Sequence, residues 1–380
     1  MEDKKQSNFD YNFILTLILF FLVSCIAIYN AQILGDLKEN FLLKQIVWYI
    51  IGVLIILFVM FFDMEQIQKL RWYLYLFSLF LLVVLVISPE SIARPINGAK
   101  SWFTFIPGVS FQPSEIAKIA LIIVLSYIIS TANHLTSIRA HLILLGKMTV
   151  VTIIPILLIM QQPDLGTSLV LISIFTGLVL VSGISWKIIL PVFLSIVIVG
   201  GGLIYLILYQ PDLIKALGVK EYQLGRIYAW LDPETYKLGE GYHLYQSLLG
   251  VGSGQLSGVQ NTVIHIPESQ TDFIFSVIAN RYGFYGAAAV ICIYFILIYR
   301  IIKLSIDVKD QFSSLVCIGV ITMITFHAFQ NIGMTIGLLP ITGIPLPFIS
   351  YGGSAMIGNM LALGLVMSIS FRNKKYLFDS

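Results

Sequence analysis

Apolar residues in this chain fall in long unbroken runs, not at the alternating spacing of a half-buried strand or on a single stripe of a helix. The runs extend over Phe13–Ala31, Ile46–Phe62, Trp72–Ser88, Ile116–Ile129, Leu142–Met160, Leu165–Gly183, Ile188–Leu208, Phe273–Ile302, Leu315–Leu339 and Phe348–Phe371. A hydrocarbon layer about 30 Å thick is crossed by roughly 20 helical residues, so the pattern predicts ten transmembrane helices. The dyad alternation of a membrane barrel is missing, which leaves helices as the spanning structure. The first run is too long for a cleavable signal, and no small-residue cleavage site follows it. The eighth is longer than a bilayer requires and is interrupted at Asn280, Arg281, Tyr282 and Gly283. A short outer piece from Phe273, then a true span from Phe284, is the expectation there.

Composition agrees with a lipid environment. Of the 380 residues 58% are hydrophobic and 11% charged, whereas a soluble domain carries about 25% charge. A soluble enzyme is excluded. The net charge of +3 gives no case for nucleic acid as a partner. Cys25, Cys292 and Cys317 all lie within apolar runs and read as packing residues, since they form neither a disulfide framework nor a zinc spacing. Charge placement sets the orientation. With the N-terminus in the cytoplasm, thirteen basic residues fall inside (Lys4, Lys5, Lys69, Arg71, Arg139, Lys147, Lys187, Arg300, Lys303, Lys309, Arg372, Lys374 and Lys375), against Lys38, Lys44, Arg94 and Lys100 in the short outer loops. This asymmetry puts both termini in the cytoplasm.

The expected organisation is one all-α polytopic membrane domain over 1–380, with a cytoplasmic tail at 1–12. Two outer segments exceed ordinary connectors: Pro89–Glu115, and a large extracytoplasmic loop between the seventh and eighth helices at 209–272. Tyr222, Arg226, Tyr228, Trp230, Tyr236, Tyr242 and Tyr245 interleave with apolar residues in that loop. Tyrosine and tryptophan favour the headgroup layer, so the loop is expected to lie along the outer face of the membrane.

Ionisable residues beside apolar runs are costly and therefore informative. Asp272 closes the outer loop and opens the eighth run. It reads equally as a helix cap and as a partly desolvated carboxylate able to act as a base. Glu115 and Lys118, three apart after Gln112 and Pro113, share a helix face. They suit a structural ion pair or a site in which Lys118 meets an anion and Glu115 tunes it. Arg94, Lys100 and Trp102 offer two cations and an aromatic face, suited to lipid headgroups or to a diphosphate and a sugar ring. Asp164 reads first as a cap. His327, Gln330 and Asn331 in the ninth run are explained by interhelical hydrogen bonds alone. No histidine pair has metal-ligand spacing. Residues 338–354 are rich in proline and glycine, and Pro340, Pro345 and Pro347 keep a helix from starting before Phe348.

Several strings together resemble the SEDS family of bacterial cell-wall polymerases, whose branches are RodA, FtsW and SpoVE. They are Asn97-Gly98-Ala99 to Trp102, Phe111-Gln112-Pro113-Ser114-Glu115 to Lys118, and Gln162-Pro163-Asp164-Leu165-Gly166-Thr167. Pro267-Glu268-Ser269-Gln270-Thr271-Asp272-Phe273 and Pro345-Leu346-Pro347-Phe348-Ile349-Ser350-Tyr351-Gly352-Gly353-Ser354 complete the set. Thr342-Gly343-Ile344-Pro345 is most similar to the RodA, or elongation, branch. The resemblance implies ten transmembrane helices in the bacterial cytoplasmic membrane and a glycosyltransferase that polymerises lipid II into glycan strands at the outer face. It makes Asp272 the essential acid. Trp102, Glu115, Lys118 and Arg94 fall at positions of functional weight, with Gln112, Ser269, Thr271, Asp164, Arg281 and Ser350 as supporting candidates. Its implied partners are lipid II and the nascent strand, a class B penicillin-binding protein with transpeptidase activity, and other membrane proteins of the elongation complex. Where the family often has acidic residues this chain has Asn280 and Arg281, so no second carboxylate is expected there.

The implied chemistry suits a single carboxylate. Lipid II carries an α-linked diphosphate and the polymer is β-1,4-linked, so the transfer inverts the anomeric centre and needs one base but no enzyme nucleophile, by analogy with inverting glycosidases. Asp272 is the expected base, with Lys118, Arg94 or Arg281 meeting the departing diphosphate. A divalent cation, Mg2+ or Mn2+, is the cofactor left open by this chemistry; no ligand cluster calls for one. The rival readings are a division or sporulation paralogue, a lipid II flippase and a scaffold that only activates its partner. A flippase wants polar residues through the full membrane depth, whereas here they gather at the outer end.

Overall fold

The structure, a computed structural model, describes every residue except 1–10, 36–38, 95–98, 107–108, 133–136, 211–220, 240, 260–263 and 379–380. Most of the cytoplasmic tail, Asn97 and the side chains of Tyr222 and Arg226 lie outside the described residues. Long helices dominate: α1 (Tyr11–Leu34), α2 (Phe41–Phe61), α3 (Met64–Ile87), α4 (Pro113–Ser130), α5 (Ile138–Met160), α6 (Leu165–Val181) and α7 (Trp186–Tyr209). Two shorter helices of the 209–272 segment follow, α8 (Glu221–Leu231) and α9 (Tyr242–Ser253), then α10 (Ile274–Asp307), α11 (Gln311–Thr335) and α12 (Gly353–Phe378). Among the described residues nine helices are long and apolar enough to cross a membrane, and α6, at 17 residues, is a shorter apolar helix.

Local chemistry sets the helix ends. Asp63 and Gln66 close a reciprocal capping box at α3, Asp310 accepts from Ser313 N at α11, and Pro113 occupies the first turn of α4, where its missing N–H costs nothing. Helices α2, α3 and α4 consequently start before the apolar runs do. α4 sits at the centre, packed by α3, α5, α6, α11 and α12. α12 lies along α2, and α10 lies between α1 and α11.

The segment 89–115, longer than an ordinary connector, carries local structure: β1 (Phe103–Ile106) pairs antiparallel with β2 (Val109–Phe111). Two expectations are corrected. The ninth helix stops at Thr335, and Gly337 (φ 77°) turns the chain out of it. The last helix starts at Gly353, not Phe348. Phe348 has φ 64°, and the carbonyls of Pro347, Phe348 and Ile349 accept from Tyr294, Tyr49 and Ser24. Side chains from α10, α2 and α1 thus take the bonds a helical turn would otherwise make.

The expected interruption of the eighth run is a kink at Gly283 (φ 61°, ψ −155°). It leaves backbone groups that lipid would not satisfy. Residues 255–259 of the long loop supply them: Phe284 N donates to Gln255 O (2.8 Å), Tyr285 N to Leu256 O (3.3 Å), and Asn280 O accepts from Val259 N (3.0 Å). Contact is backbone to backbone, since a Cβ at Gly254 would lie 1.9 Å from Ala279 O. This stretch of the loop is packed into the bundle and not only laid over it.

Candidate active site

The sequence strings converge at one end of the bundle, where α4, α6 and α12 begin. Gln112, the N-cap of α4, donates through Nε2 to Asp164 Oδ2 (3.0 Å), while its backbone N–H donates to Ser354 Oγ (3.0 Å) on the first turn of α12. Asp164 also caps α6, accepting from Thr167 N (2.9 Å) and Thr167 Oγ1 (2.7 Å). Three helix N-termini, each with the positive end of a helix dipole, are therefore tied together. Gly166 lets α6 approach residue 342 closely: a Cβ there would lie 2.8 Å from Thr342 O.

Asp272 is fixed through its backbone and neighbours. Its carbonyl accepts from Asn331 Nδ2 (2.7 Å), and the same amide donates to Ile344 O (2.8 Å), joining the loop end to the breaker-rich segment. Ser350 Oγ donates to Thr271 O (2.6 Å) and Tyr351 N to Gln270 O (2.8 Å). A Cβ added at Gly343 (φ 70°) would lie 3.5 Å from Asp272 Oδ2, so the carboxylate flanks this left-handed turn. Asp272 is half-buried and Ser269 buried. Thr271 Oγ1 donates to Glu268 Oε2 (3.1 Å). His243 of α9 stacks on Phe273 at 6.1 Å between ring centroids.

Lys118 and Glu115 are buried, 3% and 5% exposed, and paired at 2.9 Å. Gly358 makes room, since a Cβ there would lie 2.2 Å from Glu115 Oε2. Lys118 Nζ also donates to His327 Nε2 (3.1 Å). Of the other candidates, Trp102 is half-buried on the strand side, next to Ser101, which donates to Gln162 O (3.3 Å). Arg94 is exposed at the rim, its backbone N–H donating to Thr104 Oγ1 (3.3 Å). Lys100 is directed elsewhere: it bonds the last carbonyls of α3, Val86 O (3.1 Å) and Ser88 O. Arg281 Nη1 reaches Val259 O (3.5 Å) at the kink, and Asn280 holds Ser253 Oγ (2.7 Å). Among the described residues no three His, Cys, Asp or Glu side chains gather as a metal site.

Sequence reasoning did not assign a site role to His327 and Asn331. They make the interhelical bonds expected of them, but their partners are Lys118 and Asp272. The available signal was their spacing of four, which puts both on one helix face.

A profile of the FtsW/RodA/SpoVE family, described as "Cell cycle protein", matches residues 8–375. The chain belongs to that family. It is 32% identical to the peptidoglycan glycosyltransferase RodA of Treponema pallidum, over 98% of this chain and all of the relative. It is 32% identical to the stage V sporulation protein E of Bacillus subtilis, over 96% of this chain and 98% of the relative. Identity to the peptidoglycan glycosyltransferase MrdB of Escherichia coli is 34%, over 77% of this chain and 76% of that one. Among solved structures, one described as the structural coordination of polymerization and crosslinking by a peptidoglycan synthase complex superposes with a TM-score of 0.79 at 25% identity, over 96% of this chain and 98% of the other. The rod shape determining protein RodA of Thermus thermophilus superposes at 0.67 and 25% identity, over 95% and 96%. Membership of this family and the apolar helices make the chain a multi-pass protein of the bacterial inner membrane.

Proposed function

We propose that this family member is a peptidoglycan glycosyltransferase of cell elongation, and that it polymerises lipid II with Asp272 as general base. The relatives' names support the activity, and the RodA and MrdB names support the elongation role. The observation that carries the assignment of the base is the clamp on Asp272, held by Asn331 and flanked by Gly343 where the family strings converge.

In this reading the 4-hydroxyl oxygen of the acceptor GlcNAc attacks the anomeric carbon of the donor MurNAc. The bond to the diphosphate breaks as the new β-linkage forms. The hydroxyl proton passes to Asp272, and the lipid diphosphate departs with the electron pair. The tied N-termini of α4, α6 and α12 give that end of the bundle a field favourable to the departing anion. Arg94, which is exposed, is the candidate cation to meet it from solvent. Lys118 acts from within the protein, because its ammonium is already held by Glu115 and His327. The complex described for one solved relative supports a transpeptidase partner of the penicillin-binding class.

The test is polymerisation of lipid II by the purified chain, with and without that partner. Wild-type protein is expected to produce strands, and Asp272→Ala to produce none. Wild-type turnover in Asp272→Ala would remove Asp272 as the base, whereas lipid II translocation without strands from the wild type would favour a flippase.

A further inference from the structure

The buried charges at this end of the bundle are linked by one face of α11. His327 Nδ1 lies 2.7 Å from Met323 O, one turn back along the helix. A carbonyl only accepts, so Nδ1 carries the proton and Nε2 of the neutral ring presents its lone pair. That lone pair faces Lys118 Nζ at 3.1 Å, and the other side of the ammonium is taken by Glu115 Oε2 at 2.9 Å. Each of these three contacts pairs a donor with an acceptor. His327 is buried, so these two contacts set its tautomer.

Asn331 stands four residues further along the same face. Its amide donates to Asp272 O at 2.7 Å and to Ile344 O at 2.8 Å. Four residues of α-helix advance about 6 Å along the axis. One rigid helix thus grips Lys118 at one level and the peptide of Asp272 about one turn above it.

We propose that His327 and Asn331 are positioning residues, which set the Lys118 ammonium and the Asp272 backbone at a fixed separation along α11. The proposal rests on the glycosyltransferase reading above, in which Asp272 takes the acceptor proton. His327 directs the Lys118 ammonium by offering a lone pair and no proton. Asn331 ties the Asp272 peptide to α11 and to the Ile344 carbonyl. The sites affected are contacts to the reacting groups, so loss of positioning lowers turnover more than it alters substrate affinity.

Two measurements on the full chain, reconstituted with its transpeptidase partner, test this. Nitrogen NMR of the histidine-labelled chain, with the His327 signals assigned by their loss in His327→Gln, is expected to show a neutral ring protonated at Nδ1. In Lys118→Met the His327 Nε2 signal is expected to move toward that of an unbonded ring nitrogen. In strand synthesis, His327→Leu and Asn331→Leu are each expected to lower kcat at least tenfold with KM changed less than threefold, and His327→Gln, which keeps an acceptor, to restore most of the loss. A ring protonated at Nε2, or wild-type kcat in a folded His327→Leu or Asn331→Leu while Asp272→Ala is inactive, overturns the proposal. A His327→Leu that fails to fold leaves the ring tautomer and His327→Gln to decide it. Wild-type protein without product is a failure of the glycosyltransferase reading instead.

Discussion

α4 and α7 are both apolar helices of membrane-spanning length, and they differ in where they sit. α7 is the more hydrophobic, yet only 6% of its apolar 18-residue stretch is buried, against 78% for the 18 residues of α4. A soluble protein would show the reverse order. In a bilayer the lipid tails are as apolar as leucine, so hydrophobicity gives a helix no reason to move inward. The interior goes to helices with polar groups to satisfy and small residues that permit close approach. α4 brings Ser114, Glu115, Lys118 and Ser126. Its neighbours answer with Gly319 against Ile122 and Gly358 against Glu115.

The comparison is testable from its strongest point outward. Lys118→Ala leaves the Glu115 carboxylate buried without its cation, a loss of about 3 to 5 kcal/mol. Thermal unfolding in detergent is expected to show it, and a Lys118→Met, Glu115→Gln double variant is expected to recover much of it. Full stability in Lys118→Ala would mean that water already reaches the pair. Gly358→Leu pushes a side chain into the space Glu115 occupies and is expected to cost about 1 to 3 kcal/mol, read as a lower unfolding midpoint with reduced strand synthesis. At the other extreme, Ile198 on α7 is 71% exposed and no atom lies near a Cβ built at Gly201. Ile198→Ala is expected to shift stability by less than about 0.5 kcal/mol. If it unfolds the chain as readily as Gly358→Leu does, α7 is covered by protein in the assembled state.

Much of the site was legible before any folding. The strings around Gln112, Asp164, Asp272 and Ser350 mark segments that meet in space, and the interruption at Asn280 to Gly283 marks a kink. Runs of apolar residues and breaker residues are local signals, so local reading finds them. The parts missed depend on partners far away in the chain. Lys118 and His327 are 209 positions apart, Asn331 and Asp272 are 59 apart, and Ser24 meets Ile349 across 325. The start of α12 was misplaced for the same reason: the carbonyls before Gly353 are satisfied by tyrosine and serine side chains from three other helices. Lys100 looked available for an anion because nothing local reveals that the end of α3 needs its donors.

By itself the sequence determined a helical membrane protein, where most of its long apolar helices lie, and the residues able to carry charge chemistry at one end. Length and hydropathy are enough for that, because the bilayer imposes them on each segment separately. Tertiary structure decided which helices lie inside, which of the candidate cations are already bonded within the protein, and how Lys118 is spaced from Asp272. Those outcomes rest on close approach at glycines and on hydrogen bonds between distant helices, which exist only once the bundle has formed.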